Sequence, residues 1–284
     1  MRPLSDWPLA DRRELIGVFT DIDDTLTTDG AITPDALAAL GDLKRAGLHV
    51  IPITGRPVGW SEPFARSWPV DAIVAENGAV GLHTPRLPAE GFSSKNWQNP
   101  VSDGAFQLQK TYQQDTAARA RQFARMQQVA ARVLREVPGA QLAQDSPGRE
   151  TDIAIDHSEF THLPPDAIAR VLAILRSEGM TATVSSIHIN GWYGGHNKWD
   201  GACWIVRKLL QRDLPSEIRR WAYVGDSTND QLMFQHFPHS IGVANIRRFE
   251  AELEHLPRYI TPGERGAGFA QACQAILQAI SQPK

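Results

Sequence analysis

The chain has 284 residues, 42% of them hydrophobic, and its 29 basic and 32 acidic residues give a formal net charge of −3. This length allows a large α/β domain or a core domain with a smaller one, and the near-neutral charge excludes the basic footprint of a nucleic-acid-binding protein. No apolar run approaches the ~18 residues that a membrane span needs. Cys203 and Cys273 lie far apart without a CxxC motif, so we expect no disulfide, no zinc site and a cytoplasmic location.

The first part of the chain alternates between strand and helix patterns. Its predicted elements are a strand at 15–20, a helix at 34–46, a strand at 48–53, a short helix after Pro57 and a strand at 71–75. Such alternation is typical of βαβ units, which build a parallel sheet. Pro52 cannot donate the hydrogen bond that a central strand requires, so we expect it at the end of its strand or in a bulge.

The middle of the chain has a different pattern. After a loop-rich stretch at 83–110, the predicted elements are a helix at 112–136, strands near 140–143 and at 151–156, a helix at 165–178, and two strand-like runs at 180–186 and 187–191. A helix followed by two strands therefore occurs twice. We interpret this αββαββ segment as an inserted α+β module.

Alternation resumes in the last part of the chain. The predicted elements are a helix at 199–211, a strand at 220–225, a helix at 228–236, a strand at 240–243, a helix near 247–255 and a last helix at 268–281. The fold class is therefore predicted to be α/β, a Rossmann-like parallel-sheet core interrupted by the module. The predicted boundaries are 1–82 for the first core segment, 83–192 for the module and 193–284 for the second core segment.

Polar residues of a consistent kind follow the predicted strands. They are the runs Asp21-Ile22-Asp23-Asp24-Thr25, Thr54-Gly55-Arg56, His196-Asn197-Lys198 and Gly225-Asp226-Ser227-Thr228-Asn229-Asp230. Ligands of open parallel sheets bind beyond the carboxyl ends of the strands, so these runs are expected to meet at one site. Carboxylates this close repel one another, and a folded protein holds them together only with a compensating cation or a chemical use.

These residue types suit phosphoryl transfer. Asp21 and Asp226 would be oxygen ligands for Mg²⁺, which takes one or two carboxylates together with substrate phosphate. A carboxylate held against a metal-bound phosphoryl group can attack phosphorus and form an aspartyl-phosphate. Thr54 and Lys198 would bind the equatorial oxygens, over which charge spreads in the transition state.

The four runs resemble the motifs of the haloacid dehalogenase superfamily of phosphohydrolases. "DIDDT" matches the DxDxT first motif, "ITGR" the second, Lys198 the third and "GDSTND" the fourth. The position of the module between the second and third motifs, its αββαββ pattern and the run "AENGAV" at 75–80 resemble the class IIB cap. Within the superfamily the sequence is most similar to sucrose-phosphate phosphatases and mannosyl-3-phosphoglycerate phosphatases.

The resemblance implies a role for each acidic residue. Asp21 would be the nucleophile, and Asp23 the general acid that protonates the leaving alcohol and later activates water. Asp21 and Asp226 would bind Mg²⁺ through their carboxylates, and Asp23 through its backbone carbonyl. Asp230 would orient water on the metal or Lys198.

Further residues are expected to bind substrate. Those in the motifs and in "AENGAV" are Thr54, Gly55, Arg56, Asn77, Lys198 and Asn229, and the cap candidates are Arg149, Glu150, His188 and Asn190. Asp24 stands where the family usually has glycine, and we expect its side chain to face solvent. Trp192, Tyr193 and Trp199 could stack on a sugar or pack at the domain junction.

The predicted function is that of a Mg²⁺-dependent phosphatase acting on a small phosphorylated metabolite, with a sugar phosphate as the favoured class. We expect a monomer or homodimer with no nucleic-acid or membrane partner. One alternative is a phosphohexomutase, which would convert a sugar 1-phosphate to a 6-phosphate without accumulating inorganic phosphate. The other is a catalytically silent binding protein, against which the intact set of motif residues argues.

Overall fold

The first part of the chain forms half of a parallel sheet and a small antiparallel extension. The structure is a computed structural model that describes residues 1–84 and 107–281, so most of the loop-rich stretch predicted at 83–110 lies outside the described residues. The elements in order are β1 (Arg2–Pro3), α1 (Leu9–Arg13), β2 (Gly17–Thr20), β3 (Thr27–Thr28), β4 (Ala31–Ile32), α2 (Pro34–Arg45), β5 (His49–Pro52), α3 (Val58–Ser67), β6 (Ile73–Ala75), β7 (Val80–His83) and β8 (Gln109–Tyr112).

The middle part contains the two predicted repeats of a helix and two strands. They are α4 (Thr116–Glu136), β9 (Gln141–Leu142), β10 (Ile153–Asp156), α5 (Pro165–Ser177), β11 (Thr181–Val184) and β12 (His188–Trp192). The four strands form an antiparallel sheet in the order β11-β12-β10-β9, and both helices pack on it through one apolar cluster. We call this unit the cap. The predicted boundaries at 82/83 and 192/193 remain predictions, because β8 pairs with β7 outside the cap sheet.

The last part returns to the parallel sheet. Its elements are α6 (Lys198–Leu210), β13 (Trp221–Gly225), α7 (Gln231–His236), β14 (His239–Gly242), β15 (Tyr259–Ile260) and α8 (Arg265–Ser281). The sheet has the strand order β1-β15-β14-β13-β2-β5, with every neighbouring pair parallel. The predicted α/β class, with a Rossmann-like core and an inserted α+β cap, is confirmed.

Burial on both faces explains why the strands read as continuous apolar runs. In β2, Val18 faces the cluster that includes α2 and α8, and Phe19 faces the cluster that includes α6 and α7. Helices therefore cover both sides of the sheet, as is usual for parallel strands. Pro52 is the last residue of β5, as predicted, so the ladder loses no interior donor.

Two sequence expectations were wrong in detail. The helix expected at 247–255 is a short 3₁₀ helix at Ala244–Phe249 followed by turns, because Leu253 is the one hydrophobic side chain buried between 250 and 256 and no helical face exists to pack. The helix expected from 112 begins at Thr116, because Tyr112 is still paired in β8. Within the described ranges, no helix combines the length and apolar character of a membrane span.

The start of α6 lies unusually close to the loop that follows β6. A Cβ added to Gly201 would lie 2.5 Å from the Cα of Gly78, a glycine with φ +109°. Only two glycines in contact allow this approach, because a backbone atom cannot move aside as a side chain can. The contact fixes the first turn of α6, which carries Lys198.

We predict that Gly201→Ala lowers the free energy of unfolding by about 1–3 kcal/mol, although alanine normally favours a helix. Urea titration measures the change. Gly195→Ala is the control, since a Cβ there meets nothing within 4 Å, and we expect it to change stability by less than about 0.5 kcal/mol. Equal stability of the two variants would contradict the close packing of α6 on Gly78.

Candidate active site

Two neighbouring strands end in the carboxylates that the sequence predicts to meet. Asp21 follows β2 and Asp226 follows β13, and the amide of Asp21 donates to the carbonyl of Val224 over 2.9 Å. Lys198, the first residue of α6, and Asp230 complete the group. All four charged side chains belong to residues that are at most 4% exposed. The fold therefore buries residues from both core segments together, as the parallel-strand pattern implied.

Lys198 lies between two of these carboxylates. Its Nζ is 2.6 Å from Oδ1 of Asp21 and 2.6 Å from Oδ1 of Asp230. Further donors to Asp230 are the amides of Asp226 (2.9 Å) and Ser227 (3.2 Å) and the hydroxyl of Tyr223. Because both oxygens of Asp230 are occupied by protein donors, Asp230 serves here to hold Lys198 and the turn after β13.

The group is short of positive charge. Burial, together with Asp230 and Asp23, raises the pKa of Asp21 to about 8 even though Lys198 opposes the shift. Burial and the neighbouring Asp21 also raise the pKa of Asp226 well above its ordinary value. Burial alone would lower the pKa of Lys198, but Asp21 and Asp230 outweigh it and raise that pKa, so the ammonium stays charged. One cation among three buried carboxylates leaves a negative excess.

The donor set fits a hard divalent cation. One carboxylate oxygen each from Asp21, Asp226 and Asp230 lies within 4.8 Å of the others. The carboxylate of Asp226 also accepts from Nδ2 of Asn245 over 3.1 Å and from Oγ1 of Thr25 over 3.4 Å, which fixes its orientation. Each oxygen of Asp230 already accepts from two protein donors, whereas those of Asp226 accept from one each and Asp21 accepts from Lys198 through Oδ1. Asp21 and Asp226 are therefore the carboxylates that fit Mg²⁺, whose preferred ligands are oxygens.

Arg56 connects Asp23 of the core to two acidic residues of the cap. Nε of Arg56 lies 2.9 and 3.0 Å from the two oxygens of Asp23. The other nitrogens of Arg56 reach cap carboxylates, Nη1 at 3.1 Å from Asp145 and Nη2 at 2.8 Å from Glu159. Nε2 of His188 in turn lies 2.7 Å from Glu159. A continuous ionic chain therefore runs from the core to the cap above Asp23.

The loop after β5 also contacts the cap. Oγ1 of Thr54 accepts from the amide of Arg56 over 3.0 Å, and the carbonyl of Thr54 accepts from the amide of Asn77 over 2.9 Å. The carbonyl of Gly55 accepts from Nη1 of Arg149 over 3.0 Å. Among the described residues, Nδ2 of Asn77 is buried without a hydrogen-bond partner. The loop after β5 is thus linked to Asn77 through Thr54 and to the cap residue Arg149 through Gly55.

Asn190 and Asn229 have modest roles in this arrangement. Nδ2 of Asn190 donates to Asp152 over 3.1 Å and approaches the carbonyl of Gly55 at 3.4 Å, so it joins the cap to the loop after β5. Oδ1 of Asn229 accepts from the hydroxyl of Ser227 over 2.9 Å, within its own turn.

Other sequence expectations need correction. Glu150 lies 3.0 Å from Lys110 and accepts from the hydroxyl of Tyr112 over 2.7 Å, so it belongs to a surface network and not to the ionic chain above Asp23. Asp24 does not simply face solvent, because Arg265 lies 3.1 Å away and the side chain is 20% exposed. Its φ of +54° explains why glycine is usual at this position.

The aromatic residues near 192–199 pack within the protein. Trp192 is buried in the apolar cluster of the cap, Trp199 stacks on His236 with ring centroids 4.2 Å apart, and Arg125 lies over the ring of Tyr193. Packing is therefore the interpretation that the structure favours over stacking on a sugar.

Sequence reasoning missed the acidic residues that join the cap to the core. Glu76 is fully buried and accepts from the amides of Val58, Glu150 and Thr151 and from the hydroxyl of Thr151. Burial raises the pKa of Glu76, and these donors oppose the shift. Glu76, Asp145 and Glu159 were all missed because no local spacing in the sequence indicates which core residue a cap residue contacts.

Comparison with known proteins agrees with the motifs and the fold. Residues 18–86 match the family model for haloacid dehalogenase-like hydrolases. No curated protein matches the chain in sequence. Solved structures, by contrast, share the fold over nearly the whole chain.

Three solved structures illustrate this likeness. A Thermoplasma acidophilum protein has a TM-score of 0.64 at 15% identity, covering 92% of this chain and 98% of its own. A trehalose-6-phosphate phosphatase related protein has a TM-score of 0.58 at 17% identity, and the match covers 92% of this chain and 97% of that protein. The sucrose-phosphatase of Synechocystis, in complex with sucrose and phosphate, has a TM-score of 0.60 at 16% identity, and the match covers 93% of this chain and 98% of that protein.

At these identities the structural likeness establishes the fold, and the family match adds the first two motifs in sequence. The predicted resemblance to the haloacid dehalogenase superfamily is thereby confirmed, in sequence over the first core segment and in fold over nearly the whole chain.

Proposed function

We propose that this protein is a Mg²⁺-dependent phosphatase that hydrolyses a small phosphorylated metabolite through an aspartyl-phosphate on Asp21. The observation that carries the proposal is the buried contact of Lys198 with Asp21, beside Asp226 on the adjacent strand. A nucleophilic carboxylate, a fixed cation and a second carboxylate are what phosphoryl transfer to an enzyme requires. The family match and the phosphatases among the similar structures support the same chemistry.

Each residue would have a defined part in the reaction. Mg²⁺ bound by Asp21 and Asp226 would supply positive charge to the phosphoryl oxygens. An oxygen of Asp21 forms the bond to phosphorus while the bond to the leaving oxygen breaks, and Asp23 gives its proton to that oxygen. Asp23 then takes a proton from water, whose oxygen attacks phosphorus and releases Asp21 and inorganic phosphate. Lys198 neutralises the phosphoryl oxygens throughout.

The cap would close the site around the leaving group. Arg56 binds Asp23 and also Asp145 and Glu159, so the position of the proposed general acid would be linked to that of the cap. Closure also excludes bulk water from the aspartyl-phosphate. A sugar phosphate is the substrate class that we propose, since the cap carboxylates Asp145 and Glu159 are joined through Arg56 to Asp23, the proposed proton donor to the leaving alcohol, and similar structures include sugar-phosphate phosphatases. We further propose a cytoplasmic location, consistent with the free thiols of Cys203 and Cys273.

We predict that Asp21→Asn reduces phosphate release from p-nitrophenyl phosphate by at least about 10³-fold, because an amide cannot act as the nucleophile. Asp29→Asn is a matched control, since Asp29 belongs to the same segment but its side chain is 87% exposed. It should retain full activity. Unchanged phosphate release by Asp21→Asn would exclude this residue as the nucleophile. Conversion of a sugar 1-phosphate to the 6-phosphate without inorganic phosphate would identify a mutase.

We predict that Mg²⁺ stabilises the folded protein, because it binds the native carboxylates and not the unfolded chain. A concentration 100 times the dissociation constant should add about 2.7 kcal/mol to the free energy of unfolding. Asp226→Asn should abolish that stabilisation, and EDTA should abolish phosphate release by the unmodified protein. Thermal denaturation and a phosphate assay measure both effects. Activity that survives chelation would remove the metal from the mechanism.

A further inference from the structure

We propose that the leaving-group side of the site accepts a neutral, hydroxyl-rich alcohol and rejects one that carries a second anionic group, with Glu159 as the residue that determines this preference. The inference rests on the proposed function, because it concerns the group that leaves from the phosphorus. It narrows the substrate class to phosphomonoesters of uncharged polyols and sugars.

The charges above Asp23 do not balance. Four carboxylates and two guanidiniums meet where the cap contacts the core, with one histidine beside them. They are the acids Asp23, Asp145, Asp152 and Glu159, the bases Arg56 and Arg149, and His188. When all four acids are ionised they exceed the two guanidiniums by two charges, and when Asp23 holds the proton that it gives to the leaving oxygen they exceed them by one. A second phosphate or carboxylate on the leaving group would therefore be repelled there.

Both arginines are already engaged. Arg56 binds three carboxylates, and Arg149 lies 2.8 Å from Asp152 and 3.0 Å from Asp145. Their side chains are 6% and 1% exposed. An incoming anion would have to take a guanidinium from its partner and leave a carboxylate unpaired with little access to water. Breaking a buried pair in this way is strongly unfavourable.

Glu159 is the most exposed of the three cap carboxylates in this group. Its side chain is 19% exposed, against 12% for Asp145 and 0% for Asp152. Carboxylate oxygens accept hydrogen bonds and donate none, so Glu159 matches alcohol hydroxyls.

The loop that carries Glu159 is fixed before any substrate binds. Oδ1 of Asp156 accepts from the amides of Ser158 (3.1 Å) and Glu159 (2.9 Å), and Oδ2 from those of Phe160 (2.9 Å) and Thr161 (3.0 Å). His188 holds the carboxylate of Glu159 from the cap sheet. The acceptor is therefore preorganised, which reduces the entropy lost on binding.

Two acyclic six-carbon phosphates test the proposal, since they differ only in one end group. Sorbitol 6-phosphate ends in an alcohol and 6-phosphogluconate in a carboxylate. Their inhibition constants against p-nitrophenyl phosphate, and their own kcat/KM values, are measured at pH 7.5. We expect sorbitol 6-phosphate to be favoured by roughly tenfold or more, the effect of one partly screened like charge. Equal or stronger binding of 6-phosphogluconate, or no inhibition by either compound, would overturn the proposal.

Glu159→Gln assigns the preference to one residue, since glutamine keeps the shape and the acceptor oxygen but not the charge. The ratio between the two compounds should fall roughly tenfold. Asp145→Asn should lower it in the same direction if Glu159→Gln does not fold. Glu136→Gln is the control, because Glu136 is a glutamate on the outer surface of the cap that pairs with Arg132. An unchanged ratio in the first two variants would contradict the role of these carboxylates.

The same assay separates this inference from the proposed function. If the unmodified protein releases no phosphate from p-nitrophenyl phosphate, the proposed function fails and the inference fails with it. If p-nitrophenyl phosphate is hydrolysed but the anionic compound is preferred, the phosphatase assignment stands and only the inference on substrate class is overturned.

Discussion

The contact of Lys198 with Asp21 and Asp230 is the interaction on which the site depends. Three buried carboxylates lie within a few ångströms of one another, and this ammonium is the protein cation placed among them. Removing one partner of a buried ion pair typically costs about 3–5 kcal/mol, because the remaining charge cannot return to water. The close approach of Gly201 to Gly78 contributes to the site, because it fixes the position of the helix turn that carries Lys198.

The remaining negative charge is what a divalent cation bound at this site would neutralise. Burial raises the pKa values of Asp21 and Asp226, because the surrounding protein compensates the ionised form of each carboxylate poorly. A metal ion between them would keep them ionised, and an ionised Asp21 is what nucleophilic attack requires. The arrangement that destabilises the carboxylates without metal is therefore the arrangement that would make one of them reactive with it.

The contacts between cap and core also involve Asp23, the second acidic residue of the first motif. Arg56 holds Asp23 on one side and the cap residues Asp145 and Glu159 on the other, while Glu76 fixes the cap loop at Thr151 to the core. Asp23, the proposed general acid, and the two cap carboxylates therefore share one arginine. In our proposal the same two cap carboxylates, Asp145 and Glu159, also determine the charge around the leaving group.

The sequence predicted the parts of the site that follow from local pattern and sheet topology. Asp21 and Asp226 could be placed together because parallel strands end at one edge of a sheet, and the two helix-strand-strand repeats followed from hydrophobic periodicity. Asp145, Glu159 and Glu76 could not be found, since their partners depend on how two domains dock. The segment 247–255 was misjudged because helix propensity alone does not supply a buried face, and Asp24 because its partner Arg265 is distant in sequence.

The covalent intermediate tests the central claim most directly. The protein would be mixed with p-nitrophenyl phosphate and Mg²⁺, quenched in acid within one turnover, digested and analysed by mass spectrometry. Our account predicts a peptide that carries one phosphoryl group on Asp21 and loses it in mild base, as an acyl phosphate does. Turnover with no phosphorylated Asp21, or with the phosphoryl group on another residue, would contradict it.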